Sequence, residues 1–203
     1  SPYGASKAAA RHIVKVYRES YNLFAVHSIL FNHEGTKRGE EFVTRKITKG
    51  LSEINHGLRK CLYLGNIDSK RDWGHAKDYV EMQWLMLQQK KPRDFVISTG
   101  QQISVRKFIE IAAEILKWKG IIWENTGLDE IGRRKDNGEI VIRIDPKLFR
   151  PSEVNTLLGN SDYARQKLGW KPSINLEQLV EEMISFDNKE AKKIASSKLI
   201  DTQ

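Results

Sequence analysis

Tyr3 and Lys7 stand four residues apart in the opening run Ser1-Pro2-Tyr3-Gly4-Ala5-Ser6-Lys7. On a helix that spacing places a phenol and an ammonium on one face, within reach of a shared target. Free tyrosine titrates near ~10, and an adjacent cation favours the phenolate, so the pair is a way to make tyrosine a usable acid or base near neutral pH. The plain alternative is a tyrosine and a lysine on a solvated helix surface. A second chemistry in the chain is anion binding. Arginine's planar fork donates to two oxygens at once. Arg71 begins a segment just before a helical run and Arg150 precedes Pro151, so both are candidate phosphate anchors. Lys46, on a helix face, can add a point charge. Asn32 offers a donor and an acceptor at the end of an apolar run, where α/β sheets usually hold ligands. Glu153, three residues after Arg150, is an acceptor suited to hydroxyls or a base edge. The alternatives are structural: ion pairs of Arg71 with Asp72 and of Arg150 with Glu153, and a solvated Lys46. His33 and His75 lack the paired spacing of metal ligands, and no metal is assigned to them.

The elements that must position these residues are read from periodicity. Residues 2–20 read as a helix, with Pro2 tolerated in its first turn and Ser1 as its cap. Asn22 breaks the pattern, and residues 23–31, LFAVHSILF, read as a buried strand. A polar loop over 32–39 leads to a helix over 40–55 carrying Val43, Ile47, Leu51 and Ile54, closed by Gly57. A strand over 61–64 follows. Residues 76–89 form a helix apolar on more than one face, which predicts burial on several sides. A strand over 94–98 comes next, and Ser104 caps an amphipathic helix with Val105, Phe108, Ile109 and Ala112. A short strand over 121–124 precedes residues 126–138, charged and glycine-bearing, expected as a mobile loop. Residues 139–145, EIVIRID, alternate as a strand. A short helix over 162–168 stops at Gly169. Asn175 and Gln178 form a capping box for a last helix with Leu179, Val180, Met183 and Ile184. The lysine-rich tail after Asn188 is expected to fray. Strands alternating with helices argue an α/β class.

Composition narrows the partners. Hydrophobic residues are 39% and charged residues 30% of the 203, enough for one good core or a domain and a half. The net charge is +8, but the lysines and arginines are spread and no nucleic-acid-binding motif accompanies them. No nucleic acid partner is expected, and the excess suits a phosphate-bearing small ligand or a solvated surface. Cys61 is the single cysteine. It excludes an internal disulfide, fits a reducing, cytoplasmic compartment, and reads as a small strand residue. No apolar run approaches the ~20 residues that span a bilayer, so no membrane partner is expected.

The run SPYGASK, opening a helix that leads into an apolar strand, resembles the extended short-chain dehydrogenase/reductase family. Further segments follow in order: Leu30-Phe31-Asn32-His33-Glu34, Arg38-Gly39-Glu40-Glu41-Phe42-Val43-Thr44-Arg45-Lys46-Ile47, Arg71-Asp72-Trp73-Gly74-His75-Ala76-Lys77-Asp78-Tyr79-Val80, Phe149-Arg150-Pro151-Ser152-Glu153-Val154 and Leu168-Gly169-Trp170-Lys171-Pro172. Across residues 1–187 they resemble the GDP-mannose 4,6-dehydratase branch of that family. The resemblance implies the C-terminal part of a Rossmann-like NAD(P)-binding domain plus a smaller mixed α/β lobe for a nucleotide-sugar. Residues 1–31 would end the NADP-binding domain. Residues 32–187 would be mainly the GDP-sugar lobe, with some segments returning to the Rossmann sheet, and 188–203 a tail. Tyr3 would be the catalytic acid/base with Lys7 beside it. Tyr3, Lys7, His33 and Arg38 match positions that touch NADP, and Asn32, Lys46, Arg71, Arg150 and Glu153 would hold the GDP-sugar. The loop with Arg38 also matches a segment that reaches a neighbouring subunit's cofactor, which implies a homo-oligomer, dimer or tetramer. Here that loop reads Glu34-Gly35-Thr36-Lys37-Arg38, where many members have Glu-Ser-Pro-Arg-Arg. Ala8-Ala9-Ala10-Arg11-His12 stands where bulkier aromatics are commoner, a trait shared with enzymes of GDP-linked heptose.

The implied reaction is a hydro-lyase step with internal hydride transfer: oxidation at C4, loss of water across C5 and C6, and hydride return to C6, giving a GDP-4-keto-6-deoxy-sugar. The family's glycine-rich phosphate-binding turn, and the Ser/Thr and Glu it places before the tyrosine, are not among these residues. The expectation is therefore the C-terminal part of a larger enzyme, inactive and poorly folded alone. The competing classes are a 4,6-dehydratase of another GDP-sugar such as GDP-manno-heptose, and a non-catalytic GDP-sugar binder.

Overall fold

The structure, a computed structural model, describes residues 1–149 and 154–200. In chain order the elements are α1 (Pro2–Tyr21), β1 (Ser28–Leu30), β2 (Asn32–Glu34), α2 (Val43–Asn55), β3 (Leu62–Leu64), β4 (Lys70–Arg71), β5 (Trp73–His75), α3 (Ala76–Leu87), β6 (Phe95–Ile97), β7 (Ile103–Ser104), α4 (Val105–Ile115), β8 (Ile121–Glu124), β9 (Ile131–Arg134), β10 (Ile140–Ile144), α5 (Asp162–Leu168) and α6 (Leu176–Ile200). They fall into two compact units. The first comprises Ser1–His33, Asp72–Gln102 and Leu157–Ile174; the second comprises the described residues of Glu34–Arg71, Ile103–Thr156 and Asn175–Gln203.

In the first unit α1 starts at Pro2 because Ser1 Oγ accepts the Gly4 N–H at 3.1 Å, and a proline loses no hydrogen bond at that position. Asn22 ends the helix in the left-handed region, φ 52°. α1 has no buried residue. Polar contacts hold it instead: Arg18 Nε donates to Ala25 O at 2.6 Å and its Nη2 pairs with Asp94, while Arg11 lies 3.8 Å from the same carboxylate. Asp94 also accepts the His27 N–H at 3.1 Å. β1 runs parallel to β6, Ser28 opposite Phe95 and Leu30 opposite Ile97. The expected long buried strand over 23–31 is thus cut to Ser28–Leu30. Leu23, Phe24 and Leu30 are exposed. Among the described residues β1 has β6 as its single neighbour; the His27 carbonyl still accepts the Phe95 N–H at 3.2 Å, while the His27 N–H goes to Asp94 and the Ala25 carbonyl to Arg18.

α3 buries Tyr79, Met82 and Met86 against Phe95, Ile97, Ala164 and Trp170. Burial on several sides does not hold for this helix: Val80, Trp84 and Leu87 form an exposed apolar face. α5 stops at Gly169, whose φ of 65° suits a residue without Cβ. Asp72 is wholly buried. Its carboxylate accepts the Thr99 N–H at 2.9 Å, the Thr99 hydroxyl at 2.6 Å, the Gly100 N–H at 3.0 Å and the Gly159 N–H at 3.3 Å.

In the second unit the sheet order is β3-β10-β9-β8. β10 is parallel to β3 and antiparallel to β9, and β9 is antiparallel to β8. The stretch expected as a mobile loop over 126–138 contains a 3₁₀ turn, Gly127–Asp129, and then β9. Its sequence, IGRR, carries no strand-like alternation of apolar residues. What makes it a strand is pairing on both edges, with Gly132 so close under Trp123 and Ile142 that an added Cβ would lie 3.0 Å from each. α2, α4 and α6 pack on one another, with Ile47, Leu51, Phe108, Ile109, Val180 and Met183 buried. Ser104 Oγ caps α4 by accepting the Lys107 N–H at 3.1 Å. α6 opens on the reciprocal capping box: Asn175 N–H donates to Gln178 Oε1 at 2.9 Å, and Gln178 N–H to Asn175 Oδ1 at 2.8 Å. The helix continues to Ile200, past the point where fraying was expected. Ala191 is buried and Lys193 pairs with Glu190 at 2.7 Å, so this stretch has both packing and local charge support. Cys61 lies just before β3, half-buried, and burial raises its thiol above the ordinary range.

Among the described residues no helix is long and apolar enough to cross a membrane, and no group of three or more His, Cys, Asp or Glu is placed to hold a metal ion.

Candidate active site

Tyr3 and Lys7 lie in the first two turns of α1. The helical spacing brings Lys7 Nζ to 5.7 Å from the Tyr3 ring centroid. Tyr3 is 72% exposed, so its phenol faces outward from this chain. Asn32 and His33 sit on β2, which pairs with β5. His33 Nδ1 is 3.1 Å from Phe31 O and its ring is 5.3 Å from that of Tyr79. A hydrogen bond to that carbonyl requires the proton on Nδ1.

In the second unit Arg38 is fixed by two neighbours. Its Nε lies 3.1 Å from Glu34 Oε2, and its Cζ sits 3.5 Å over the Phe42 ring. Glu34 is 2% exposed and accepts the Thr44 hydroxyl at 2.6 Å. Burial pushes the Glu34 carboxyl up, and the Thr44 hydrogen bond and the Arg38 charge pull against that rise. The Nε makes no hydrogen bond in this geometry, so the guanidinium is placed by the charge of Glu34 and by stacking on the Phe42 ring.

Lys46, on α2, is half-buried rather than fully solvated. Burial lowers its ammonium, the charge of Arg59 adds to that, and Asp145 opposes it. Arg71 lies on β4, which pairs antiparallel with β7, and its Nη1 donates to Lys70 O at 2.8 Å. The Asp72 carboxylate, the alternative partner read from sequence, is engaged by Thr99, Gly100 and Gly159. Lys46 and Arg71 therefore stand on separate elements of the second unit. Arg150 and Glu153 lie outside the described residues.

Sequence reasoning missed a buried cluster behind the Arg38 loop. Arg45 Nε lies 3.0 Å from both oxygens of Asp187, and its Nη2 lies 2.9 Å from Oδ1. Thr48 Oγ1 donates to Asp187 Oδ2 at 2.7 Å. Arg45 Nη1 donates to Arg38 O at 3.1 Å and to Thr36 O. Burial pushes the Asp187 carboxyl up, while Thr48 and Arg45 pull it back. One signal was available: Asp187 falls in the apolar stripe Val180, Met183, Ile184, Ala191 of α6, where a carboxylate needs a partner.

The family model for GDP-mannose 4,6 dehydratase matches residues 1–183. The chain is 52% identical over 209 residues to the GDP-mannose 4,6-dehydratase of Vibrio cholerae, covering 98% of this chain and 56% of that protein. It is 51% identical over 187 residues to the GDP-mannose 4,6 dehydratase of Homo sapiens, covering 92% of this chain and 50% of that protein. Among solved structures it is similar to RMD from Pseudomonas aeruginosa complexed with NADPH, with a TM-score of 0.75 at 22% identity over 93% of this chain and 56% of that one. It is also similar to dTDP-glucose 4,6-dehydratase from Bacillus anthracis in complex with NAD, with a TM-score of 0.73 at 20% identity over 96% of this chain and 55% of that one. These likenesses show the fold, a Rossmann-like α/β fold. The chain spans about half the length of the relatives it matches. With the family model covering most of its residues, including Tyr3, Lys7 and the Arg38 loop, the chain belongs to the GDP-mannose 4,6-dehydratase family.

Proposed function

We propose that the full-length protein carrying this chain is a GDP-mannose 4,6-dehydratase, a cytoplasmic hydro-lyase that uses NADP and works as a homo-oligomer. The observation that carries the reading is the family match across residues 1–183, which takes in Tyr3 and Lys7. The relatives from Vibrio cholerae and Homo sapiens are named for this reaction, and the similar solved structures hold NADPH and NAD.

The donor set suits a nicotinamide dinucleotide. In support, Lys7 stands beside Tyr3 with an ammonium suited to ribose hydroxyls, His33 has an imidazole that can donate or accept, and Arg38 carries a guanidinium suited to phosphate oxygens. A bound nicotinamide would supply a reversible acceptor for the sugar's hydride. Tyr3 takes the proton of the 4-hydroxyl, with Lys7 beside it on the same helix face. Asn32, Lys46, Arg71, Arg150 and Glu153 hold the GDP-sugar, with Arg71 and Arg150 on the pyrophosphate and Glu153 on hydroxyls or the guanine edge. Residues 1–31 belong with the cofactor and 32–187 mainly with the sugar nucleotide, followed by 188–203. The grouping of Asp72–Gln102 and Leu157–Ile174 with the first unit supports the view that some later segments return to the cofactor side.

The test incubates the full-length protein and NADP+ with GDP-mannose or GDP-manno-heptose, and follows loss of one water by mass spectrometry. The reading expects a 4-keto product from GDP-mannose. Product from the heptose alone reassigns the sugar. Retained GDP-sugar binding with no dehydrated product from either overturns the enzyme assignment in favour of a binder.

A further inference from the structure

We propose that Asp187, acting through Arg45, is a positioning residue that fixes the loop over 35–39 and sets the orientation in which Arg38 meets its ligand. This rests on the reading of Arg38 as a cofactor contact.

Removing two charges from water is costly, and mutual attraction offsets that cost only when the remaining donors and lone pairs are also satisfied. The pair meets that condition. Asp187 receives Arg45 Nε and Nη2 and the Thr48 hydroxyl. The remaining Arg45 nitrogen, Nη1, turns away from the carboxylate to the carbonyls of Thr36 and Arg38. Those carbonyls belong to a tight turn in which the Arg38 N–H donates to Gly35 O at 3.0 Å, followed by the Phe42 N–H donating to Gly39 O at 3.2 Å. The guanidinium therefore ties α6 to this loop. Arg38 is held from both directions: its backbone by Arg45 and its side chain by Glu34 and Phe42.

An apolar pair of similar size would fill the same space, and such replacements are often neutral or stabilising. It could not donate to two backbone carbonyls. That is the difference between a pair that only packs and a pair that orients, and it can be read directly, because Lys37 and Arg38 are themselves tryptic sites within the loop.

The experiment uses the full-length protein and compares wild type with Arg45→Lys, Asp187→Asn and the double variant Arg45→Met/Asp187→Leu, with Arg38→Ala alongside. Three quantities are measured: the rate of native-state tryptic cleavage after Lys37 and Arg38, assigned by mass spectrometry; the dissociation constant of NADPH from its fluorescence; and kcat at saturating cofactor and sugar. The double variant is expected to keep its thermal midpoint near wild type. It should be cut in the loop at least about tenfold faster and bind NADPH about tenfold more weakly, with kcat changed less than about threefold, because loose orientation is felt first in binding. Wild-type cleavage and affinity in a folded double variant overturn the proposal. If the double variant does not fold, Asp187→Asn, which keeps the side-chain shape and the acceptor for Thr48, decides by the same cleavage measurement. If Arg38→Ala leaves NADPH affinity unchanged, the cofactor reading of Arg38 fails, and the cleavage rates still decide whether Asp187 and Arg45 order the loop.

Discussion

The helix that carries Tyr3 and Lys7 and the loop that carries Arg38 are held by opposite means. α1 buries nothing; it is set by a local cap at Ser1 and by Arg18 and Arg11 around the partly exposed Asp94. The loop over 35–39 is short and irregular, yet buried charges fix it through Glu34, Arg45 and Asp187. The regular element is anchored at the surface and the irregular one from the core. At Tyr3, loss of the reacting group should therefore leave stability alone, whereas behind Arg38 loss of one charged partner should cost stability first.

The largest expected effect is on the helix side. Tyr3→Phe in the full-length protein should lower turnover by about 10²–10⁴-fold, the usual worth of a positioned acid/base. The thermal midpoint should move little, since the substitution removes one hydroxyl and keeps the ring. Turnover within twofold of wild type, or a shifted midpoint, breaks the separation. On the loop side, Asp187→Ala leaves the Arg45 charge buried and unpaired and should cost about 3–5 kcal/mol in denaturant unfolding. A cost below about 1 kcal/mol would place this pair with surface ion pairs and erase the contrast.

A smaller effect sharpens the helix half. Ser1→Ala removes the acceptor for the Gly4 N–H and should cost about 1 kcal/mol, confined to the first turn of α1 and visible as faster amide exchange there. The smallest concerns pH. Burial alone would raise Asp94, but the hydrogen bonds from Arg18 and the His27 N–H outweigh it and hold the carboxyl below its ordinary value. The unfolded chain then binds the proton more readily, so this tether stabilises above the ordinary carboxylate value and is lost as pH falls through the depressed one. Glu34 and Asp187 are raised by burial. Their folded forms bind the proton more readily, so they weaken the fold progressively as pH rises from the ordinary value through the raised ones. Carboxyl NMR titration should place Glu34 and Asp187 above the ordinary range and Asp94 below it. The reverse order would remove the electrostatic side of the comparison.

Features with local causes were legible in the sequence. Ser1, Ser104, the Asn175–Gln178 box and Gly169 act on backbone groups within a few residues, and each starts or stops a helix where expected. Features with remote causes were not. β9 owes its strand to neighbours on both edges, and β1 starts late because Arg18 takes the Ala25 carbonyl and Asp94 the His27 N–H. The apolar face of α3 looked like core, but only the Tyr79, Met82 and Met86 side meets one. Tyr3, Lys7 and Arg38 stood out by type and spacing. Arg45 and Asp187, 142 residues apart, become a pair only once α2 and α6 pack.

Asp72 has a consequence for rates. One buried carboxylate joins residues 27 and 87 positions away, at Thr99 and Gly159. Contacts that close loops of this length lose chain entropy before they gain energy, so they form late, and a late contact acts mainly on the rate of opening. The first unit should thus reach its native arrangement about as fast without Asp72 as with it, and leave it sooner: this residue governs the lifetime of the folded state more than the time taken to find it.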